Sequence, residues 1–192
     1  KFNLTVVKQI PEVLIYEMDN GKPIYYSKYK NVLQGNLSSE AIMGSSILQS
    51  LIITELIVHF TKTVSSKYFI LSNELGILFS KGSWRLADIA IIEKSRITEI
   101  NDKYISAPPN VVIEVDTKAA LEDYDDPKDY YTLKTQQYLD FGVNKVIWIY
   151  TTTKTIEIAT KNDTTQHFWS ENIEFLNELN FNLEVLMSSH LS

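Results

Sequence analysis

Residues 111–141 read VVIEVDTKAALEDYDDPKDYYTLKTQQYLDF, and the fold turns on them. Val111 to Val115 is a short run of branched apolar residues interrupted by Glu114, the pattern of a strand covered on both faces. Glu114 and Asp116, two positions on, share one of those faces, where an ionised carboxylate is expensive unless a cation meets it. Asp126-Pro127 then supplies a helix start, with aspartate at the cap and proline at the first helical position, and Gly142 a stop. On the helix over 127–141, Lys134 lies among Tyr131, Tyr138 and Phe141, spaced three or four residues apart along one face. Two carboxylates and a lysine therefore point inward from adjacent elements. These are parts suited to a divalent-metal site that cleaves phosphodiesters.

Upstream, residues 84–92 form a second strand whose parity is informative. Leu86, Asp88, Ala90 and Ile92 share one face, and Ala87, Ile89 and Ile91 the other, so Asp88 is the polar exception in a core strand. Before it, residues 68–79 form another strand candidate, with Asn73-Glu74 between its two apolar runs, joined to 84–92 by a turn over 80–83. The first long helical pattern spans 38–63, with Ser38 or Ser39 as its cap and Glu55 within its apolar surround, read as reaching solvent at the edge. Asn20-Gly21 between two apolar runs marks an amino-terminal β-hairpin. Residues 93–109, with Pro108-Pro109, read as a surface loop. After the 127–141 helix come strands over 144–150 and 155–160. Phe168-Trp169 begins a short edge strand, and 180–186 alternates weakly. Helices few and set among strands give an α/β class with a mixed central sheet flanked by helices.

With 192 residues, 44% of them hydrophobic, the chain buries one core and reads as a single domain: a hairpin extension over 1–34, a core over 35–160 and a carboxy-terminal extension over 161–192. The longest apolar run, around 51–60, is broken by Thr54, Glu55 and His59, so no membrane span is expected. The alternation over 1–16 is not that of a signal peptide, and a cytoplasmic location is the default expectation. The absence of cysteine excludes disulfides and thiolate metal sites. A net charge of −6 argues against a broad basic nucleic-acid surface but not against a metal-dependent nuclease, whose site is itself acidic. His59, His167 and His190 have no metal-ligand spacing and read as structural or surface residues.

Carboxylate oxygens at Asp88 and Glu114 suit Mg²⁺ or Mn²⁺, and Lys134 beside them would offset charge developing on a phosphate. Two bland readings compete. Lys134 neutralises Glu114 or Asp116 in a structural ion pair, or a one-residue slip in register turns the carboxylates outward.

The series Trp84-Arg85-Leu86-Ala87-Asp88-Ile89-Ala90-Ile91, Pro108-Pro109-Asn110-Val111-Val112-Ile113-Glu114-Val115, Lys134-Thr135-Gln136-Gln137-Tyr138, Gly142-Val143 and Val146-Ile147-Trp148-Ile149 resembles the Uma-two family, a restriction-endonuclease-like branch of the PD-(D/E)XK nuclease superfamily. The likeness covers residues 35–160. It implies a restriction-endonuclease-like core of a helix, three strands, a helix and a strand, with a divalent metal and hydrolysis of DNA. Asp88 and Glu114 match the two metal carboxylates, and the Val115 carbonyl is the expected third ligand. The proline expected before the aspartate is Ala87. The lysine expected two residues after the glutamate is Asp116, and Lys134 fits the migrated lysine of this branch, with Lys118 its rival on a polar loop. Asp116 is then a further ligand or a partner of Lys134. Glu74, where this branch often carries an acid, is a secondary candidate, as is Gln137, one turn beyond Lys134, for contact with substrate or a metal water. A homodimer would suit cutting of both strands, with the hairpin as a pairing surface. The alternative is a catalytically silent binding or assembly domain. A hydrolase acting on a small phosphorylated or glycosidic substrate with the same carboxylates is a lower third reading, and a glycosidase would not need Lys134.

Overall fold

In the computed structural model, residues 10–190 are described. The chain opens with β1 (Ile15–Asp19) and β2 (Lys22–Tyr25), joined by Asn20 and Gly21. Both turn residues have positive φ, 46° and 79°, the pair that a two-residue hairpin turn needs to match strand twist.

The helical stretch expected over 38–63 is divided. After α1 (Tyr29–Leu33), α2 (Glu40–Met43) ends at Gly44, whose extended backbone breaks the run. The long helix α3 (Ile47–Thr63) starts afresh, capped by Ser46, whose hydroxyl accepts from the Gln49 amide at 3.1 Å. The cap is therefore Ser46 and not Ser38 or Ser39. Along α3, Ile52, Leu56 and Phe60 are fully buried. Glu55 sits at the edge of that face and pairs with His190 at 2.9 Å.

The strand expected over 68–79 is present as β3 (Tyr68–Ser80), which runs through Asn73-Glu74 and pairs with β4 (Ser83–Glu93) on both sides of it. Ser72 faces Ile89 and Leu75 faces Ala87, so Asn73 and Glu74, both at positive φ, form a bulge opposite the single residue Asp88. The 94–110 segment returns over β3, where the Tyr104 ring covers Gly76 so closely that an added Cβ would lie 2.3 Å from it.

β5 (Val111–Val115), α4 (Pro127–Phe141) and β6 (Lys145–Tyr150) make a parallel crossover. Asp126 caps α4 through the Lys128 amide and Gly142 ends it at φ 112°. β7 (Thr155–Ala159) and β8 (Thr164–Phe168) extend the sheet antiparallel. Phe168 ends β8, where the sequence pattern suggested a beginning. β9 (Ile173–Leu176) and β10 (Leu179–Phe181) form a separate ribbon, and α5 (Leu183–Met187) takes up the rest of the weakly alternating tail.

The result is the expected α/β architecture, a mixed eight-stranded sheet with an amino-terminal hairpin, ordered β2-β1-β4-β5-β6-β7-β8 with β3 along β4. One face carries α3, α5 and the ribbon over Ile89, Ile91, Ile113, Ile147 and Ile149. The other carries α4, whose Tyr130 and Tyr138, with Val143 just beyond the helix, pack over Val112, Val146 and Trp148. Among the described residues no helix is long and apolar enough to cross a membrane.

Candidate active site

β3 occupies one edge of β4 along its length, so β1 and β5 share the other. β5 pairs at Ile89–Ile91 and β1 at Trp84, through Met18. Between these contacts the edge of β4 has no strand beside it, and side chains bond the backbone groups there. Leu86 donates its amide to Glu17 Oε1 at 3.1 Å and accepts at its carbonyl from Lys134 Nζ at 2.9 Å. The Val115 amide, beside the gap, donates to Asp88 Oδ2 at 2.7 Å. Buried backbone groups must find partners, and where the two neighbours splay apart these residues supply them.

Lys134 closes the gap from α4. Its ammonium has three protons and three acceptors: Glu17 Oε1 at 2.8 Å, Leu86 O at 2.9 Å and Glu114 Oε1 at 3.1 Å. It is 0% exposed, with the ring centres of Tyr16, Tyr130, Tyr138 and Trp148 at 5.5–5.9 Å. Burial works against its charge, but the Glu114 and Glu17 carboxylates outweigh that and hold its pKa above the usual lysine value. Glu17 is tied down further by Arg85 Nη1 at 3.0 Å and Tyr130 OH at 2.8 Å. Burial penalises the Glu17 carboxylate, yet Lys134 and Arg85 together keep its pKa below the ordinary range.

Glu114 lies beside Lys134, 1% exposed, with Tyr138 OH donating to Oε1 at 2.8 Å. Here burial prevails over the attraction of Lys134, and with Asp88 and Glu17 adding repulsion the carboxyl is pushed up to about 8. Asp88 is also raised, by burial first, against the Val115 amide and the charges of Lys134 and Lys118. The remaining expected residues are placed as follows. Asp116, at φ 54°, accepts from the Thr151 amide at 2.9 Å and hydroxyl at 2.6 Å, so it does not pair with Lys134. The Val115 carbonyl accepts from Gln49 Nε2 of α3 at 2.8 Å. Gln137 bridges Arg85 Nε and Asp19 Oδ1, at 2.8 and 2.7 Å, within the buried network. Glu74 pairs with Lys118, and both line an open cleft of about 430 Å³ together with Asp88.

Three participants were not singled out in the sequence: Glu17, Arg85 and Gln49. Glu17 sits in a hairpin, and Arg85 by parity belongs on the face opposite Leu86. Gln49 was one polar residue on an amphipathic helix. The available signal was Glu17 itself, an acid in the apolar half of a strand.

The sequence profile of Uma2, a family whose description reads "Putative restriction endonuclease", matches residues 31–186. The chain belongs to the Uma2 family. A crystal structure of a "putative nuclease belonging to DUF820" from Anabaena variabilis superposes with a TM-score of 0.64 at 18% identity, covering 90% of this chain and 89% of that one. At that identity the likeness is one of fold. No curated protein matches.

In this Uma2 chain the donor set near the gap is two carboxylates and a carbonyl, hard oxygens of the kind Mg²⁺ and Mn²⁺ take. Among the described residues no cluster of three or more acidic or histidine ligands is present. Magnesium commonly uses one or two protein carboxylates and fills the remainder with water and phosphate, so Asp88 and Glu114 fit in kind and in number.

Proposed function

We propose that this Uma2 chain is a divalent-metal-dependent endonuclease that hydrolyses phosphodiesters in DNA. The observation that carries the reading is that Asp88, in the wall of an open cleft where β4 loses its strand neighbour, accepts from the Val115 amide, the residue next to the buried Glu114. Asp88, Glu114 and the Val115 carbonyl would hold Mg²⁺ or Mn²⁺, which when bound polarises a phosphate and lowers the pKa of water. Asp88 is fixed by the Val115 amide, and Glu114 by Tyr138 and Lys134. Lys134, the expected catalytic cation, acts in this reading by holding Glu114 and the Leu86 carbonyl in place while the ring cage keeps water out. A homodimer would bring two such clefts to the two strands of a duplex.

A second reading has an observation behind it. Every proton of Lys134 is already committed and Glu114 favours its neutral form, which also suits a silent domain that keeps the fold. Supercoiled, linear and single-stranded DNA, and RNA, incubated with Mg²⁺ and with Mn²⁺ separate the two. Cleavage of DNA that disappears in Asp88→Ala, together with loss of Mn²⁺ binding in a calorimeter, supports the endonuclease. Intact substrates under every condition would favour the silent domain.

A further inference from the structure

We infer that Lys118 is the cation that meets the substrate's phosphate in the Asp88 cleft, with Glu74 as its resting partner. The inference rests on the nuclease reading and deepens it.

Lys134 lacks the means. It is sealed, and a further bond to a phosphate would require breaking one it already makes to Glu17, Glu114 or Leu86. Lys118 differs on each count. Its side chain is 12% exposed and lines the cleft beside Asp88, whose carboxyl it is near enough to stabilise as an anion. Among the described residues its ammonium has one side-chain partner, Glu74, which leaves two protons for a ligand. Ser45, Ser50 and Ser72 line the same space and bring hydroxyls able to donate to phosphate oxygens, while the Thr54 hydroxyl beside them donates to the Ser50 carbonyl at 2.8 Å.

The backbone beneath Lys118 is fixed independently of its side chain. Its carbonyl accepts from the Ser27 amide at 2.6 Å, and Ala119 bridges to Tyr26 while the Ala120 amide donates to Tyr25 O at 2.9 Å. The hairpin thus pins the loop and leaves the long side chain to reach into the cleft. Glu74 stands in the bulge of β3 opposite Asp88, so it holds the ammonium in the Asp88 cleft until a phosphate replaces it. A carboxylate that pairs with a lysine in this way is readily exchanged for a phosphate oxygen, since both are anionic acceptors.

The test is fluorescence anisotropy of a short labelled DNA duplex and of its single strand, with Ca²⁺ in place of Mg²⁺, across a salt series. For Lys118→Gln we expect binding about tenfold weaker than the parent chain, with the slope of log K against log salt reduced by about 1. Lys118→Arg should restore most of the affinity and the slope. Glu74→Gln should bind a few-fold more tightly. Thermal melts of all three should stay near the parent's, because the pair lies close to the surface. A parent chain that binds DNA while Lys118→Gln keeps both its affinity and its slope overturns the inference and leaves the nuclease reading standing. Weaker binding by Glu74→Gln overturns the resting-partner role. A parent chain that binds neither probe overturns both readings.

Discussion

At Lys134, four aromatic rings and three acceptors surround a single charge. Such a group contributes little compared with an apolar replacement of the whole set, yet removing one member alone strands the others. Lys134→Met leaves Glu17, Glu114 and the Leu86 carbonyl without their common donor, and should cost about 3–5 kcal/mol in urea unfolding. A loss under about 1 kcal/mol would mean that the cluster holds less of the fold than its geometry implies. The two carboxylates on this lysine titrate in opposite senses. Glu17 is held low, so it adds stability above the ordinary glutamate range that is lost as pH falls through its folded pKa. Glu114 is raised to about 8, so between the ordinary glutamate value of 4.5 and that point the folded chain keeps a proton that the unfolded chain has released. Its contribution is complete at the acid end and drains away as pH rises through about 8. In chelator, the melting temperature of the parent chain relative to Glu114→Gln should therefore fall from pH 5 to pH 8.5. A constant difference across that window would place the Glu114 pKa near its ordinary value.

The elements divide between those set by local chemistry and those set by packing. The β1-β2 turn, the Asp126-Pro127 start of α4 and its Gly142 stop were all legible, because turn and cap residues act through their own backbone. The start of α3 was not, since Ser38, Ser39 and Ser46 are each acceptable caps and the choice falls to Gly44, which leaves the helix. Ser46→Ala should destabilise by about 1 kcal/mol. Ser39→Ala, which removes no capping bond, should change the denaturation midpoint within error. Equal effects would return the cap to the earlier position. The strand over 68–79 was legible from its apolar runs, but its bulge at Asn73-Glu74 was not, since only the register against β4 reveals it. Asp88 and Glu114 were found through strand parity. Glu17 and Arg85 were not, because parity describes one strand, whereas their burial comes from β1 and α4 meeting across the gap.

For the whole molecule, the hairpin read as an extension proves to be continuous with the core. Glu17 supplies acceptors to Lys134, Arg85 and Tyr130, and Tyr25, Tyr26 and Ser27 anchor the loop after β5. The Uma2 match begins at residue 31, beyond all of these. A chain shortened to start there should lose its cooperative unfolding transition, leaving Lys134 and Arg85 buried without Glu17. A sharp melt close to the parent's would instead make the hairpin dispensable. The net charge of −6 read from composition remains consistent with a local acidic cleft, and the cations that matter are few and individually placed.

The gap on β4 also bears on the order in which the molecule is made. Glu17 leaves a ribosome well before its partner, since the Tyr130 hydroxyl that it accepts from lies 113 residues further on. Until α4 has been synthesised and has docked, an acid destined for the interior has no cation from that helix and stays in water. The amino-terminal strands and β5 must then wait for a late element to join them along one edge. Contacts so distant in sequence are closed slowly. An apolar β-sheet held half-assembled during that delay is the interval in which nascent chains of this protein are most open to aggregation and to chaperone capture.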